Sequence, residues 1–290
     1  MLSKNDFELW VRSCHGLYTI FESKSDLYPL SHQLVEEYWR NNGKYYINDE
    51  VIKHLDLKLQ YLNYKSFGIK GNLERVISNA FNDFITKYFT IGEHENIGVA
   101  IAPYLFTWNI QRFREYFEEN PQFNLGEYFI ALGQKISELK DKIAYFRGKR
   151  LIDSDINSDE PRIRELVEAM MDVLRELNKK YVGTKHDEPV ATVKILHILA
   201  PNYFPLLDNK IAEAVKLKKV RQESITESKY ITWIKDLRLW LQNYADVLEK
   251  LENEFRSPML KLIDESLYIM STVSLRKRLP SLEITGTIKN

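Results

Sequence analysis

Cysteine is almost absent from the sequence, since Cys14 is the only one among 290 residues. A single thiol excludes an internal disulfide and any zinc site built from several cysteines. It also excludes a four-cysteine motif for an iron–sulfur cluster. The fold therefore has to be stabilised by its core, as is typical of proteins from a reducing compartment.

Long apolar runs and net charge are absent as well. No stretch approaches the roughly 20 apolar residues of a membrane helix, and the first residues, Met1–Asp6, do not resemble a signal peptide. The formal net charge is zero, so a nucleic-acid surface would have to be a local patch. We expect a soluble, cytoplasmic protein with no membrane partner.

Several sequence motifs of catalysis and cofactor binding are also absent. The chain has no phosphate-binding Gly-x-x-x-x-Gly-Lys loop, no Gly-x-Gly-x-x-Gly, no His-Glu-x-x-His and no Gly-x-Ser-x-Gly. The six histidines are scattered, and no spacing marks them as metal ligands. We therefore expect neither a metal nor another cofactor.

Apolar residues recur at helical spacing along most of the chain. Apolar content of 44% and charged content of 28% are ordinary for a globular protein. Steps of three and four predict one long helix over residues 125–146 and another from Ser228 to Phe255. No convincing strand alternation is present. The pattern predicts an all-α fold, an orthogonal bundle of many helices.

The segment Thr90–Gly98 combines polar residues with two glycines and is the best candidate for a loop or domain boundary in the first half of the chain. We predict an N-terminal helical region at 1–98, a main helical domain at 99–279 and a loose tail at 280–290.

Residues 188–215 combine strong backbone signals with ionisable groups in apolar surroundings. The spacing predicts a buried helix over Thr192–Leu199, which ends before Pro201 because proline disfavours a helical preceding residue. Lys194 lies within this helix, and burial lowers the pKa of a lysine so that its free amine can form a Schiff base. Asp208 is predicted to open the next helix, where backbone amides favour its charged form.

A purely structural interpretation of the same residues stays open. An aspartate before a helix is most often an N-cap, and a lysine on a short helix most often extends to solvent. In this interpretation Asp208 and Lys194 have no chemical role, and His197 is a core residue bonded to a backbone carbonyl.

Residues 181–215 resemble the signature of the helix-hairpin-helix DNA glycosylase superfamily. Its hairpin has the form Leu-Pro-Gly-Val-Gly-x-Lys-Thr-Ala, and Pro189 is followed five residues later by Lys194 in the same way. The segment Pro205–Ile211 resembles the Pro-x-x-Asp-x-x-Val that opens the following helix. Val190 and Thr192 stand where that hairpin has glycines. The segment is also similar to uncharacterised microbial proteins distantly related to these glycosylases.

The resemblance implies an all-α fold with a helix-hairpin-helix-like element and a base-excision glycosylase or glycosylase/lyase activity. Lys194 would attack C1′ of a damaged nucleotide, Asp208 would assist departure of the base, and the base would be flipped into a pocket. We expect His197, Tyr203 and Phe204 to contribute to that pocket. Without the two glycines, the backbone cannot approach a DNA phosphate in the family's manner.

A local excess of positive charge supports a duplex DNA partner independently. Residues 178–222 contain nine Lys or Arg against four Asp or Glu, a net charge of +5. The residues expected to contact the phosphate backbone are Lys185, Lys210, Lys216, Lys218, Lys219 and Arg221.

Two alternative functions involve no catalysis. The first is a helical nucleic-acid-binding protein, and the second is a protein-interaction module that uses the apolar faces of 125–146 and 234–255. Solvated helix ends explain the basic run almost as well as DNA does.

Overall fold

The computed structural model describes residues 2–22, 26–61, 71–108, 110–184, 187–215 and 226–272. It confirms the all-α prediction. The helices are α1 Lys4–Phe21, α2 Tyr28–Arg40, α3 Asp49–Tyr61, α4 Asn72–Tyr88, α5 Ile97–Trp108, α6 Ile110–Glu119, α7 Leu125–Glu138, α8 Lys140–Arg147, α9 Ile156–Leu177, α10 Pro189–Leu199, α11 Asn209–Ala214, α12 Glu227–Leu241, α13 Ala245–Phe255 and α14 Met259–Thr272. Single helical turns of other types occur at Leu151–Asp153, Asn178–Val182 and Gln242–Tyr244. No helix in these ranges is long and apolar enough to cross a membrane.

A short two-stranded ribbon departs from the helical pattern in the described part of the chain. Strands β1 (Tyr45–Ile47) and β2 (Gly92–His94) pair antiparallel, with Tyr45 opposite His94. The sequence shows no convincing strand alternation at either segment. Three residues give only one alternation of buried and exposed positions, which is too little for a sequence pattern to reveal.

Both predicted long helices are interrupted. The first stops at Leu139, whose amide bonds to Ile136 and Ser137, and α8 begins at the next residue. The second is divided by the single turn at Gln242–Tyr244. The apolar spacing continues across each interruption because the helices on both sides of it bury their apolar residues. The apolar faces proposed for a partner are therefore largely buried, at Leu125, Phe129, Leu132, Ile136, Ile143, Phe146, Ile234, Leu237, Leu241, Leu248 and Leu251.

The chain forms two compact units. Unit 1 contains the described parts of Met1–Ser23, Lys142–Glu168 and Thr192–Asn290, and unit 2 contains those of Lys24–Asp141 and Ala169–Ala191. These units differ from the predicted division at residue 98, because α2 and α5 on either side of it pack together. The predicted tail at 280–290 lies outside the described residues.

In unit 2, α5 and α7 approach very closely at a pair of glycines. A Cβ atom on Gly98 would lie 1.9 Å from the carbonyl oxygen of Phe129, and one on Gly133 would lie 2.5 Å from the amide nitrogen of Gly98. Asn96 fixes the crossing, since its Oδ1 accepts from the Gly98 amide and its Nδ2 donates to the Ile130 carbonyl. Only glycine allows two helix backbones to come this near.

In unit 1, α1 packs along α14 and also contacts α13, while α11 packs against α14. The Phe7 ring of α1 stacks on Tyr244 with the ring centroids 3.9 Å apart. Buried aromatic rings of this kind contribute large apolar areas to a core. α14 is distant in sequence from α11 and from Thr192–Leu199 of α10, yet all three belong to unit 1.

Candidate functional site

Helix α10 is apolar on nearly all sides and carries one lysine. Val193, Ile195, Leu196 and Ile198 are buried, and Lys194 itself is only 9% exposed. The helix begins at Pro189, earlier than predicted, because proline suits the first turn of a helix, where its missing amide has no intrahelical partner. It ends at Leu199, two residues before Pro201, as the sequence predicted.

The loop after α10 is fixed by hydrogen bonds. The amides of Tyr203 and Phe204 both donate to the Ala200 carbonyl, at 3.0 and 3.1 Å. Tyr230 Oη donates to the Pro205 carbonyl at 2.9 Å, and the Trp233 indole donates to the Leu206 carbonyl. The path from α10 to Asp208 is therefore set by α12, to which Tyr230 and Trp233 belong.

A buried carboxylate anchors the same loop from α9. Asp159 is 2% exposed and accepts hydrogen bonds from Tyr203 Oη (2.8 Å), Tyr145 Oη (2.6 Å) and Lys149 Nζ (2.7 Å). Burial alone would raise the pKa of Asp159, but the hydrogen bonds from Lys149, Tyr145 and Tyr203 hold it below its usual value. Asp159 can anchor the loop because α8, α9 and the loop meet around it.

Asp208 stands directly before α11 and caps it. Its Oδ1 accepts from the Ile211 amide at 2.7 Å, and its carbonyl accepts from the Ala212 amide. Asp208 is therefore an N-cap, which is the role that the purely structural interpretation gave it. Asp208 has a second effect besides capping, because its negative charge raises the pKa of Lys194.

The amine of Lys194 is strongly perturbed. Burial lowers its pKa from 10.5 to about 8, although the negative charges of Asp208 and Asp264 partly oppose that effect. At pH 7 roughly one molecule in ten then carries a neutral amine, against fewer than one in a thousand for an ordinary lysine. The charge of Asp208, predicted together with Lys194 from the sequence, thus opposes the effect of burial on the pKa of Lys194.

Asp264 on α14 is a third member of the site and was missed in the sequence. Burial raises its pKa to about 7, against the opposing charge of Lys261, while Asp208 and Glu265 add to the increase. Lys261, Asp264, Glu265 and Tyr268 recur at steps of three, one and three, which places them on one helix face. Charged residues on one face of an otherwise apolar helix were the signal that could have identified them.

The residues around Asp264 form a buried ionic cluster between α14 and α1. Lys261 Nζ lies 3.5 Å from Asp264 Oδ2 and 3.8 Å from Glu265 Oε1. Glu265 Oε2 in turn lies 2.6 Å from Nδ1 of His15 on α1. Lys261 and Glu265 are 2% and 4% exposed, so their charges are largely shielded from water.

The three residues expected to line a pocket are packed into the core. His197, Tyr203 and Phe204 are each fully buried. The His197 Nδ1 lies 2.8 Å from the Phe204 carbonyl oxygen, as in the structural interpretation of this histidine. The Tyr203 and Phe204 rings pack on Phe146, with centroids 4.6 and 4.9 Å apart. A groove of about 460 Å³ in unit 2, lined mainly by α4 and residues 121–126, includes none of the predicted site residues.

One of the six predicted phosphate contacts belongs to the described part of the chain. Lys185, Lys216, Lys218, Lys219 and Arg221 lie outside the described residues. Lys210 is described and is exposed on α11, two residues after Asp208. Within the described ranges, no three His, Cys, Asp or Glu side chains form a group that could hold a metal ion.

The site thus consists of an amine on α10, one carboxylate before α11 and a second carboxylate on α14. A scan against protein-family models, a search of curated proteins and a search of solved structures each found no match for the chain.

Proposed function

We propose that the protein is a DNA glycosylase with lyase activity, in which Lys194 is the nucleophile and Asp208 assists departure of the base. The observation that supports this most is the buried Lys194 amine, whose pKa of about 8 makes it available as a free base. Its coupling to Asp208 provides the Lys and Asp pair that the glycosylase-like segment implies. Base-excision repair would be the process served.

The proposed reaction starts with attack of the neutral Lys194 amine on C1′ of the nucleotide. As the N–C1′ bond forms, the glycosidic bond breaks, and its electron pair leaves with the base. The carboxylate of Asp208 stabilises the positive charge that develops on the sugar. The sugar ring then opens as C1′–O4′ breaks, and O4′ takes a proton from the attached nitrogen, which leaves a protonated Schiff base.

DNA binding would depend on the basic residues rather than on a glycine hairpin. Val190 and Thr192 carry side chains where the family's hairpin offers bare backbone. Lys210 is exposed beside Asp208, and the net charge of +5 over residues 178–222 favours a phosphate backbone. We therefore expect affinity for duplex DNA that falls steeply with salt.

Borohydride trapping tests the lyase step, because reduction of the Schiff base leaves a permanent protein–DNA adduct. The substrate is duplex DNA with one abasic site. We expect adduct formation by the wild type and none by Lys194→Met. Lys210→Met, which removes an exposed lysine two residues after Asp208, is the matched control and should still be trapped. If wild type and Lys194→Met give equal adduct, Lys194 is not the nucleophile.

A glycosylase without lyase activity would escape that assay, so base release has to be measured separately. Duplexes that contain oxidised or alkylated bases are incubated with the wild type and with Asp208→Asn. We expect release by the wild type and a loss of about 10²-fold in Asp208→Asn, since a carboxylate that stabilises developing charge contributes about that much. If no base is released from any of these duplexes and no adduct is trapped, the proposed enzymatic activity is refuted.

A second candidate is a helical nucleic-acid-binding protein without chemistry, which the local positive charge alone would support. Gel retardation with unmodified duplex at low and high salt tests it. Binding without trapping or base release would favour this candidate, and no retardation at low salt would contradict both.

A further inference from the structure

The loop between α10 and α11 joins the two predicted reacting groups. Lys194 lies on α10 and Asp208 directly precedes α11, so the loop of residues 200–207 is the chain that connects them. At the α10 end, His197 Nδ1 lies 2.8 Å from the Phe204 carbonyl oxygen. His197 is three residues after Lys194, about one turn further along the same helix. The loop is therefore bonded to the helix that carries the nucleophile.

Tyr203 attaches this loop to α9 as well. The buried Tyr203 hydroxyl donates to Oδ2 of Asp159 at 2.8 Å. The Tyr203 amide donates to the Ala200 carbonyl at 3.0 Å, and the Phe204 amide donates to the same carbonyl. The side chain of Tyr203 is thus bonded to α9, while its backbone is bonded to the end of α10. A displacement of Tyr203 would move the backbone that leads to Asp208.

We infer that Asp159 is a positioning residue of the proposed reaction, because it fixes Asp208 relative to Lys194 by holding Tyr203. This inference rests on the proposed function. Asp159 takes no part in the chemistry and acts through the loop. Placement of the reacting groups matters strongly, since a displacement of about 1 Å can slow a reaction about 10²-fold. Neither the resemblance nor residues 188–215 include Asp159.

The hydrogen bonds to Asp159 require a carboxylate. Its Oδ1 accepts from Tyr145 Oη at 2.6 Å and from Lys149 Nζ at 2.7 Å, while its Oδ2 accepts from Tyr203 Oη. Burial alone would raise the pKa of Asp159, but these hydrogen bonds hold it below its usual value, so the group is charged at neutral pH. An amide at this position would turn its NH₂ group toward one of the donors.

The other side of the loop is held by α12, which is itself joined to α9. The carbonyls of Pro205 and Leu206 accept hydrogen bonds from side chains of α12. Lys235 Nζ of α12 lies 2.6 Å from Oε2 of Glu160, the residue that follows Asp159 on α9. The loop is therefore supported on two sides, by Asp159 and by α12, and the two supports are joined next to Asp159.

Two tyrosines that donate to the same carboxylate provide a matched pair of variants. Tyr203→Phe and Tyr145→Phe each remove one hydroxyl from Asp159, but only Tyr203 belongs to the loop. If the cluster serves stability alone, the two variants should behave alike. If Asp159 positions the loop, only Tyr203→Phe should affect the reaction. Asp159→Asn, which keeps the size of the side chain, should act like Tyr203→Phe.

The kinetic arm measures borohydride trapping on abasic duplex from pH 6 to 9, under conditions where near-ultraviolet circular dichroism confirms folding. At saturating DNA we expect Tyr203→Phe and Asp159→Asn to be slowed by about 10- to 10²-fold, and Tyr145→Phe to match the wild type. The half-saturating DNA concentration should not change, because no contact to DNA is removed. The pH of half-maximal rate should also stay, because Lys194 sets it; a shift in Asp159→Asn would mean that Asp159 acts chemically and would overturn the positioning role.

The exchange arm needs no activity. Hydrogen exchange of the Tyr203 and Phe204 amides, both bonded to the Ala200 carbonyl, is followed by nuclear magnetic resonance. Loss of a hydrogen bond to a charged group should make these amides exchange about tenfold faster in Tyr203→Phe and in Asp159→Asn. Tyr145→Phe should leave their exchange unchanged, because its hydroxyl is not attached to the loop.

The two arms separate the possible failures. If the wild type forms no adduct, the proposed function fails, and the positioning role fails with it. If the wild type is trapped but Tyr203→Phe keeps the wild-type rate, or Tyr145→Phe is slowed equally, the inference about Asp159 is overturned and the proposed function stands. Unchanged exchange in Tyr203→Phe overturns the inference whatever the trapping result. If Asp159→Asn does not fold, the two tyrosine variants still decide.

Discussion

Replacing Lys194 by methionine should change how stability depends on pH. The ammonium binds its proton up to about pH 8 in the folded chain and up to about 10.5 in the unfolded chain. Between these values the unfolded state holds more protons, so the free energy of unfolding of the wild type rises with pH. Each pKa unit corresponds to about 1.36 kcal/mol, which gives a total of roughly 3 kcal/mol.

The variant lacks this increase. Below pH 8 the wild type bears the full cost of a buried ammonium, and above pH 10.5 it bears none. Relative to Lys194→Met, the wild type should therefore gain roughly 3 kcal/mol between about pH 8 and 10.5.

Urea unfolding at pH 7, 9 and 10.5 measures the difference directly. Lys210→Met is the matched control, because Lys210 is exposed on α11, and its difference from the wild type should not change with pH. If the stability curves of the wild type and Lys194→Met run parallel over this range, the pKa of Lys194 is not lowered, and the reasoning that makes it a nucleophile fails.

Three substitutions and one chemical reaction test the packing. Gly98→Ala should destabilise the chain by at least about 3 kcal/mol, because its Cβ has no room at the α5–α7 crossing. Gly16→Ala, with nothing within 4 Å of its Cβ, should stabilise α1 by about 1 kcal/mol; equal effects in thermal melts would contradict the crossing. Tyr203→Phe should cost about 1–3 kcal/mol by urea unfolding, because it removes a hydrogen bond to the buried Asp159, and a neutral result would mean that this bond does not hold the loop. Burial raises the pKa of Cys14 to about 11, so iodoacetamide at pH 8 should alkylate it far more slowly in native than in urea-unfolded protein, and equal rates would show that the thiol is accessible.

The sequence was most informative where the relevant contacts are local. The helix that carries Lys194, its end before Pro201 and the position of Asp208 before α11 all follow from short-range backbone preferences. The all-α class follows from the spacing of apolar residues, which is also a short-range pattern. These features depend on residues within one or two helical turns of one another.

Features that depend on tertiary packing were not predictable in this way. The charge of Asp264 acts on Lys194 although the two residues are far apart in sequence, because α14 belongs to the same unit as Thr192–Leu199 and α11. The interruption at Leu139 leaves the apolar spacing intact, so the pattern alone could not reveal it. The five basic residues outside the described ranges remain predictions.

The packing of α1 along α14 has a consequence for how the chain folds during synthesis. The ribosome makes Lys4–Phe21 long before Met259–Thr272, with all of unit 2 in between. At about 5–20 residues per second, α1 waits roughly 10–50 s for its partner. During that time its apolar face, which carries Phe7, Trp10 and Val11, is available to chaperones. The cluster of His15 and Glu265, which joins the two helices, can form only after α14 has been made.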